Sequence, residues 1–422
     1  MLEIQLCAAE VLGATIAGRN LSLAFDEGFR RHESLSVSER AAVRQILYDG
    51  LRAYGLLREQ LARLLVTPIR HPALSNLLYV ALAQLQFSRA KPYAIVDHAV
   101  RAAEKLGQPA ARGLVNAVLR NFLRKRTELD VTHFASPEAI YGFPAWWVEK
   151  LRAEHPQSWE GMLACANRHP PMTLRVNRRR ATVEQSLLLL EAAGMAAHRV
   201  GDAAIAIDPR PVHEIPGFDE GTVSVQDASA QFAAPLMDLH DGQRVLDACS
   251  APGGKSGHVL ELADVALLAL DSDAQRLEKV RANLDRLGLR AQLRAADASL
   301  PDTWWDGVPF DRILVDAPCS ASGVVRRHPD IRWTRRQADL PGFASQQAAL
   351  LAGVWKALAR GGKMIYVTCS VFRDENGATV EGFLARQRDA ALIPAGLPGA
   401  AGGQVLPDDH HDGFFYALFE KT

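Results

Sequence analysis

The chain has 422 residues, of which 48% are hydrophobic and 23% charged, and its formal net charge is zero. High apolar content and balanced charge exclude a mostly disordered chain. No apolar run reaches the ~18 residues of a membrane span, and the N-terminus does not have the pattern of a secretory signal. We therefore expect a cytoplasmic protein of roughly three domains, with no membrane partner.

The five cysteines lie too far apart in the chain to form a C-x-x-C pair. An odd and scattered set argues against a disulfide framework and a zinc site, and for a reducing compartment. We expect no bound metal. Cys7 and Cys165 are expected to be small buried residues, whereas the other three cysteines have unusual neighbours.

Residues 1–130 have few Pro and Gly, and their apolar residues recur at three- and four-residue spacing, which predicts an all-α domain. Within it, Arg120 and Arg124 form a basic stripe away from the apolar arc of one helix. The stripe is either a solvated helix face or a surface for a polyanion.

Two further regions follow the helical domain. Residues 131–165, which Ser136-Pro137 and Phe143-Pro144 interrupt, predict linking helices. Residues 166–240 predict a small α+β unit, because Met172–Asn177 alternates like a strand and a helix with a Gly stop follows over Leu187–Gly194. Two short apolar segments, Ala204–Ile207 and Val223–Val225, are predicted strands.

From residue 241 to 422, predicted strands and helices alternate, which favours a doubly wound, mostly parallel Rossmann-like sheet. The predicted strands are Arg244–Ala248, Val265–Asp271, Ala291–Asp297, Arg312–Ala317, Lys363–Thr368 and Gly413–Lys421. The predicted helices are Lys255–Ala263, Asp273–Leu287 and Gly342–Arg360. Residues 395–403, rich in Gly and Ala, are expected to form a loop.

A glycine-rich turn follows the first of these strands. It comprises Cys249, Ser250, Ala251, Pro252, Gly253, Gly254 and Lys255. Such a turn lets a ligand approach the backbone at a helix N-terminus. The turn matches neither G-x-G-x-x-G nor the P-loop, so neither a dinucleotide nor a nucleoside triphosphate is favoured.

Acidic residues end the first four strands. They are Asp247, Asp271, Asp297 and Asp316. The carboxyl ends of strands line the ligand crevice of an open α/β sheet, and an acid after the second strand suits a ribose diol. Each acid alone could be a helix cap. Four in succession favour a nucleoside cofactor without a phosphate, such as S-adenosylmethionine.

Cys319 and Cys369 follow the fourth and fifth strands, so they should face one crevice. A thiolate is the nucleophile suited to adding to a soft carbon such as C6 of cytosine. That addition makes the otherwise unreactive C5 able to attack a methyl sulfonium. The chemistry alone does not decide which cysteine attacks.

These motifs resemble those of the RNA cytosine-5 methyltransferases: Asp247–Lys255, Asp316–Ser320 and Thr368–Ser370. Outside them, Arg112–Arg124 resembles the signature of a NusB-like N-terminal domain, and Leu174–Asn177 and Val225–Gln231 resemble the middle segment of the same family. The resemblance implies an S-adenosylmethionine-dependent enzyme that acts on small-subunit ribosomal RNA.

The resemblance also implies roles by position. Cys369 would be the nucleophile and Cys319 would assist product release. The turn Cys249–Lys255 would hold the cofactor with Asp271, Asp297 and Asp316. In addition, Asp316 and Lys255 would reach the target base. A DNA-type enzyme would instead attack with Cys319.

Two arginine-rich runs suggest RNA contacts, because Arg pairs with phosphate and Trp stacks on bases. The candidates are Arg175 and Arg178 in the first run, and Arg326, Arg327, Arg332 and Trp333 in the second. The alternatives are solvated charge runs. At the level of function, the alternatives are a methyltransferase of another RNA such as tRNA, of DNA or of a small molecule, and a non-enzymatic antitermination-type protein. We expect a monomer.

Overall fold

The computed structural model describes residues 1–397 and 402–422, and it divides into two compact units. Part of the expected loop at 395–403 therefore lies outside the described residues. The first unit comprises residues 1–167 and 325–337, and the second comprises residues 168–324 and 338–422. No helix of the described residues is long and apolar enough to cross a membrane.

The first unit is helical, as its apolar spacing predicts. Its helices are α1 (Leu2–Ile16), α2 (Leu21–Arg31), α3 (Val37–Arg52), α4 (Tyr54–Leu64), α5 (Pro72–Phe87), α6 (Pro92–Lys105), α7 (Arg112–Arg124), α8 (Pro137–Tyr141), α9 (Ala145–Glu154) and α10 (Trp159–Ala166). Ser36 and Glu39 form a capping box that fixes the start of α3. The predicted linking helices at 131–165 belong to this unit, since α8 packs on α4.

The second unit begins with a small antiparallel sheet, as predicted. Its elements are β1 (Met172–Val176), α11 (Val183–Ala192), β2 (Ala197–Arg199), β3 (Ala204–Ile207) and β4 (Val223–Val225), and the strand order is β2-β3-β1-β4. Helix α11 starts earlier than predicted because Thr182 and Gln185 form a capping box.

A larger mixed sheet completes the second unit. Its strands are β5 (Arg244–Asp247), β6 (Ala266–Asp271), β7 (Gln292–Ala295), β8 (Phe310–Asp316), β9 (Leu358–Thr368), β10 (Ala390–Ile393), β11 (Gln404–Val405) and β12 (Phe414–Lys421). The remaining helices are α12 (Gly254–Leu262), α13 (Ala274–Leu287), α14 (Ile331–Thr334), α15 (Leu340–Trp355) and α16 (Gly377–Arg386). Helix α14 lies in the first unit.

The strand order β7-β6-β5-β8-β9 is parallel, and β12 and β10 extend it with antiparallel pairing. Successive residues such as Ile313 and Leu314 enter two different apolar cores, so both faces of the sheet are covered. The predicted arrangement of an all-α domain, a small α+β unit and a Rossmann-like domain is confirmed. The chain order reverses between β5 and β8, where such folds bind ligands.

The prediction that the helix before β9 extends to Arg360 is wrong. Helix α15 ends at Trp355, and β9 already begins at Leu358. Gly361 has a φ of 71°, and the pairing of β9 with β8 shifts register at Phe310 and Arg312. A bulged strand start with two glycines has no simple alternation, so its sequence did not indicate a strand.

Candidate active site

The glycine-rich turn joins β5 to α12 and is closed by the backbone. Gly253 donates from its N–H to Ser250 O at 2.7 Å, and its φ is 99°. A Cβ at this position would lie 3.0 Å from the Cα of Val280 on α13. Glycine is therefore required both by the left-handed conformation and by the close approach of α13.

The second unit has a cavity of about 340 Å³ at the carboxyl ends of the parallel strands. Its lining includes the predicted residues Cys249, Ala251, Asp271, Asp297, Asp316, Cys319 and Cys369. Five strands and their following turns thus deliver chemistry-bearing side chains to one crevice. The expectation that these positions converge agrees with the structure.

The strand-end acids have unequal surroundings. Asp271 accepts from Ala251 N at 3.3 Å, Asp273 N at 3.0 Å and Arg276 Nη1 at 3.4 Å. A carboxylate has about four acceptor positions, so capacity remains for one further donor. Asp297 Oδ1 takes both the N–H (2.9 Å) and the hydroxyl (2.7 Å) of Ser299.

Asp247 differs from the other acids because it is fully buried. Its Oδ2 accepts from Ser256 Oγ at 2.6 Å, which connects the end of β5 to the first turn of α12. Burial raises the pKa of Asp247 to about 7. Asp247, which is not among the predicted cofactor contacts, therefore stabilises the turn.

Lys255 and Asp316 form an ion pair beside the cavity, with Nζ 2.6 Å from Oδ2. Burial lowers the pKa of Lys255, but the charge and hydrogen bond of Asp316 outweigh it, so this pKa lies above its usual value. The Lys255 ammonium also lies 5.4 Å from the centre of the Phe414 ring. Lysine is thus held as a cation next to the carboxylate that follows β8.

The two cysteines of β8 and β9 meet, with their sulfur atoms 3.4 Å apart. Cys319 is buried, and Cys369 is more exposed. The hydrogen bond to Cys369 and burial raise the pKa of the Cys319 thiol well above its ordinary value. Burial likewise raises the pKa of Cys249. Cys319 and Cys249 are therefore held as thiols.

Comparisons with known proteins agree with this site. The chain matches the family described as 16S rRNA methyltransferase RsmB/F over residues 234–420. Residues 143–212 match the ferredoxin-like domain of RsmF/B-like methyltransferases, and residues 3–124 match the NusB family.

Similar proteins extend over nearly the whole chain. Ribosomal RNA small subunit methyltransferase B of Escherichia coli O7:K1 is 40% identical over 396 residues, which cover 92% of each chain. The protein of the same name from Pseudomonas syringae pv. tomato is 41% identical and covers 99% of this chain and 96% of its own. The chain belongs to the ribosomal RNA small subunit methyltransferase B family.

The fold of this family member agrees with that of a solved structure. The crystal structure of PH0851 superimposes with a TM-score of 0.82 at 25% identity, covering 100% of this chain and 99% of the other. The expected family, the NusB-like domain and the use of S-adenosylmethionine by a methyltransferase are confirmed. The remaining acceptor capacity of Asp271 and Asp297 at the cavity fits the hydroxyl groups of that cofactor.

Three of the arginines that the sequence suggested for RNA binding are buried. Arg175 is fully buried and donates to both oxygens of Glu261, at 2.6 and 2.9 Å, and to Gly254 O at 2.8 Å. It holds the small sheet against the start of α12. The expectation of a phosphate contact at Arg175 is therefore wrong, because its donors are already used.

The run at 326–336 is also structural. Arg332 is fully buried, and it donates to Gly142 O at 3.2 Å and to Ala166 O at 3.0 Å. Arg326 is buried with Nη1 3.4 Å from the Cys165 sulfur, and the Trp333 indole donates to Leu51 O at 2.6 Å. The expectation that Arg326, Arg332 and Trp333 bind RNA is wrong.

The other suggested RNA-binding residues remain accessible. Arg120 and Arg124 lie exposed on α7, and Arg178 is exposed at the end of β1. Arg327 is half-buried. RNA contact at these four positions stays a prediction.

Sequence reasoning missed two buried groups near the cysteines, Glu375 and Gln347. Glu375 Oε1 accepts from Ser320 N at 2.7 Å, and Gln347 donates to Pro318 O at 2.9 Å. The only signal in the sequence was an acidic pair, Asp374 and Glu375, soon after Cys369, and the sequence does not tell these two residues apart.

Proposed function

We propose that this protein transfers the methyl group of S-adenosylmethionine to C5 of a cytosine in small-subunit ribosomal RNA. The observation that supports it most is the pair of sulfur atoms, 3.4 Å apart, on the wall of the cavity that Asp271 and Asp297 also line. One cavity thus combines groups suited to a nucleoside with two thiols. S-adenosylmethionine, when bound, supplies an electrophilic methyl group.

Cys369 is the nucleophile in this proposal. It is the more exposed of the two cysteines, whereas the raised pKa of Cys319 holds that group as a thiol. The Cys369 thiolate adds to C6 of cytosine, which makes C5 electron-rich, and C5 then takes the methyl group. This choice agrees with the role that the family resemblance implies.

Product release needs a proton acceptor and a leaving group. The Cys319 sulfur, in its deprotonated form, accepts the C5 proton, the C5–C6 double bond forms again, and the C6–S bond breaks to return the Cys369 thiolate. We assign assistance in this step to Cys319, because its sulfur lies next to that of Cys369.

Asp316 and Lys255 orient the target base. A carboxylate can accept from the exocyclic amine of cytosine, and the neighbouring ammonium stabilises negative charge that develops on the ring during C6 addition. The ion pair of 2.6 Å holds the two side chains against each other before the base enters. A target base within a duplex must leave its stack to reach them.

RNA binding is assigned to arginines that are exposed (Arg120, Arg124 and Arg178) or half-buried (Arg327). Their side chains remain at least partly accessible, as a phosphate contact requires. An rRNA substrate places the reaction in the cytoplasm. The expectation of a monomer stays a prediction that sedimentation velocity would test.

Methyl transfer from S-adenosylmethionine with a labelled methyl group tests the function. The protein is incubated separately with unmodified small-subunit rRNA, tRNA and DNA, and the nucleosides are separated after digestion. We expect label in 5-methylcytidine from the rRNA alone. Label in tRNA instead would mean that tRNA, and not rRNA, is the substrate. Label in no nucleic acid would contradict the proposal.

A further inference from the structure

Glu375 lies in the turn between β9 and α16 and is fully buried. Its carboxylate contacts both segments that carry the paired cysteines. Oε1 accepts from Ser320 N at 2.7 Å, and Oε2 accepts from the hydroxyl groups of Ser320 at 2.5 Å and Ser370 at 2.6 Å. One side chain therefore joins the segment after β8 to the segment after β9.

The Ser320 N–H and the hydroxyl groups of Ser320 and Ser370 all donate to Glu375, and Gln347 is a fourth donor. Gln347 Nε2 lies 3.3 Å from Oε1 of Glu375 and also donates to Pro318 O at 2.9 Å. A group surrounded by donors alone is satisfied as a carboxylate and not as a carboxylic acid. Glu375 thus carries a negative charge inside the protein.

A second hydroxyl closes the same network. Ser322 Oγ accepts from Val371 N at 2.9 Å and lies 3.0 Å from Ser370 Oγ. With the hydroxyls of Ser320 and Ser370 donating to Glu375, the Ser322 hydroxyl can donate to Ser370. Ser322 Oγ also lies 3.2 Å from Ser320 Oγ, so the three hydroxyl groups and the carboxylate form one continuous network.

The network fixes the residues that directly follow the two cysteines. Ser320 follows Cys319 and Ser370 follows Cys369 in the chain. Holding both serines on one carboxylate restrains the backbone on either side of the 3.4 Å sulfur contact. A buried charge costs free energy, and apolar side chains could seal the same space. The arrangement therefore favours a role in geometry over one in stability.

We propose that Glu375 is a positioning residue that holds Cys319 and Cys369 at the separation the reaction needs. This inference rests on the roles proposed above for the two cysteines. Glu375 touches neither substrate nor cofactor in this account, and it acts through Ser320 and Ser370.

The charge of Glu375 affects the pKa of Cys319, so the pH dependence of the reaction can distinguish a role of this charge from a role in packing alone. The hydrogen bond to Cys369 and burial raise the pKa of Cys319, and the negative charge of Glu375 adds to that increase. Removing the charge should lower the pKa of Cys319. The pH dependence of adduct release, which follows the Cys319 proton, should then move to lower pH.

Glu375→Gln in the full-length protein tests the proposal. We expect kcat for rRNA methylation to fall by about 100-fold, as for a small misplacement of reacting groups, with unchanged KM for rRNA and unchanged cofactor affinity. The pH profile of adduct release should shift to lower pH. Glu381→Gln, an exposed change on α16, is the matched control and should leave kcat and the profile unchanged.

Ser370→Ala keeps the charge of Glu375 and removes one hydrogen bond to it. This variant is therefore the alternative test if Glu375→Gln does not fold. It should lower kcat by a smaller factor without moving the pH profile. A Glu375→Gln enzyme with wild-type kcat and profile would overturn the proposal, as would equal losses of cofactor affinity and kcat. Full activity of Cys369→Ala would instead overturn the cysteine roles proposed above.

Discussion

Asp271 and Asp273 lie two residues apart, yet their carboxylates have different tasks. Asp273 is exposed and caps α13 by accepting from Gln275 N at 2.8 Å. Asp271 is buried at the cavity wall, where capacity for one donor remains. The side chain that we propose serves the cofactor is thus distinguished from the cap by its burial and its partners.

Asp271→Asn should weaken S-adenosylmethionine binding, because the amide loses one acceptor for the ribose hydroxyls. The expected loss is ~1.5–3 kcal/mol for a hydrogen bond to a charged group. Isothermal titration calorimetry measures it. Asp273→Asn is the control, since Asn caps a helix as well as Asp does. If both variants bind S-adenosylmethionine as tightly as wild type, the role of Asp271 is purely structural.

Asp247→Asn tests the buried acid through pH. Burial raises the folded-state pKa of Asp247 to about 7, above its unfolded value, so the folded protein binds this proton more tightly. The resulting stabilisation is complete below the unfolded pKa and is lost as pH rises through about 7. The unfolding free energy of the variant, relative to wild type, should therefore increase between about pH 4 and about pH 8.

Urea denaturation of both proteins without cofactor, at several pH values, measures this difference. A difference that does not change with pH would mean that Asp247 has the same pKa in the folded and unfolded chains.

At the level of elements, two arginine-bearing helices have opposite roles. In α14, Arg332 is buried, and its guanidinium lies 4.0 Å from the centre of the Phe143 ring. In α7, Arg120 is exposed and donates to Asn116 on its own helix at 2.9 Å. The first arginine holds the helical unit together, and the second is available to RNA.

Arg332→Ala should lower the unfolding free energy by ~3 kcal/mol, because buried carbonyl groups lose their donor. It should leave the salt dependence of rRNA affinity unchanged. Arg120→Ala should do the reverse: stability stays within ~0.5 kcal/mol, while the slope of log affinity against log salt decreases by about 1. Denaturation and filter binding at several salt concentrations measure both, and a reduced slope for Arg332→Ala would contradict the burial argument.

The strands and the site acids of the second unit could be predicted because local patterns specify them. A continuous apolar run, Ile313–Val315, marks β8, and the convergence of the acids and cysteines at the strand ends follows from the parallel topology. The role of Arg332 could not be predicted. Its partners Gly142 and Ala166 are far away in the chain, and an arginine-rich run has the same local appearance whether it is buried or exposed. Glu375 was missed for the same reason, since its role depends on the hydrogen bond from Ser320, which is distant in the chain.

At the scale of the whole molecule, the chain crosses between its two compact units after the Cys319 segment. Residues 325–337 leave the second unit, pack within the first and return. Trp333 there joins the core of the helical unit, and Asp330 accepts from Leu21 N at 3.4 Å. The segment 325–337, which follows the Cys319 turn in the chain, therefore folds as part of the helical unit.

Removal of residues 1–167 should leave the segment 325–337 without its packing partners. We expect trypsin to cleave the truncated protein at the arginines of this segment, but not the full-length protein under the same conditions. Methylation of rRNA should be lost as well, because the segment directly continues the Cys319 turn. A truncated protein that resists cleavage there and keeps its activity would contradict this account.

In the proposed mechanism, Cys369 attacks C6 and Cys319 assists release. Denaturing electrophoresis of the protein after incubation with rRNA and S-adenosylmethionine tests it most directly. Cys319→Ala should accumulate a slow-migrating covalent protein–RNA band, whereas Cys369→Ala and the double variant should show no band and no methylation. A band with Cys369→Ala instead would mean that Cys319 attacks and Cys369 assists release. Full activity of both single variants would contradict the thiolate mechanism.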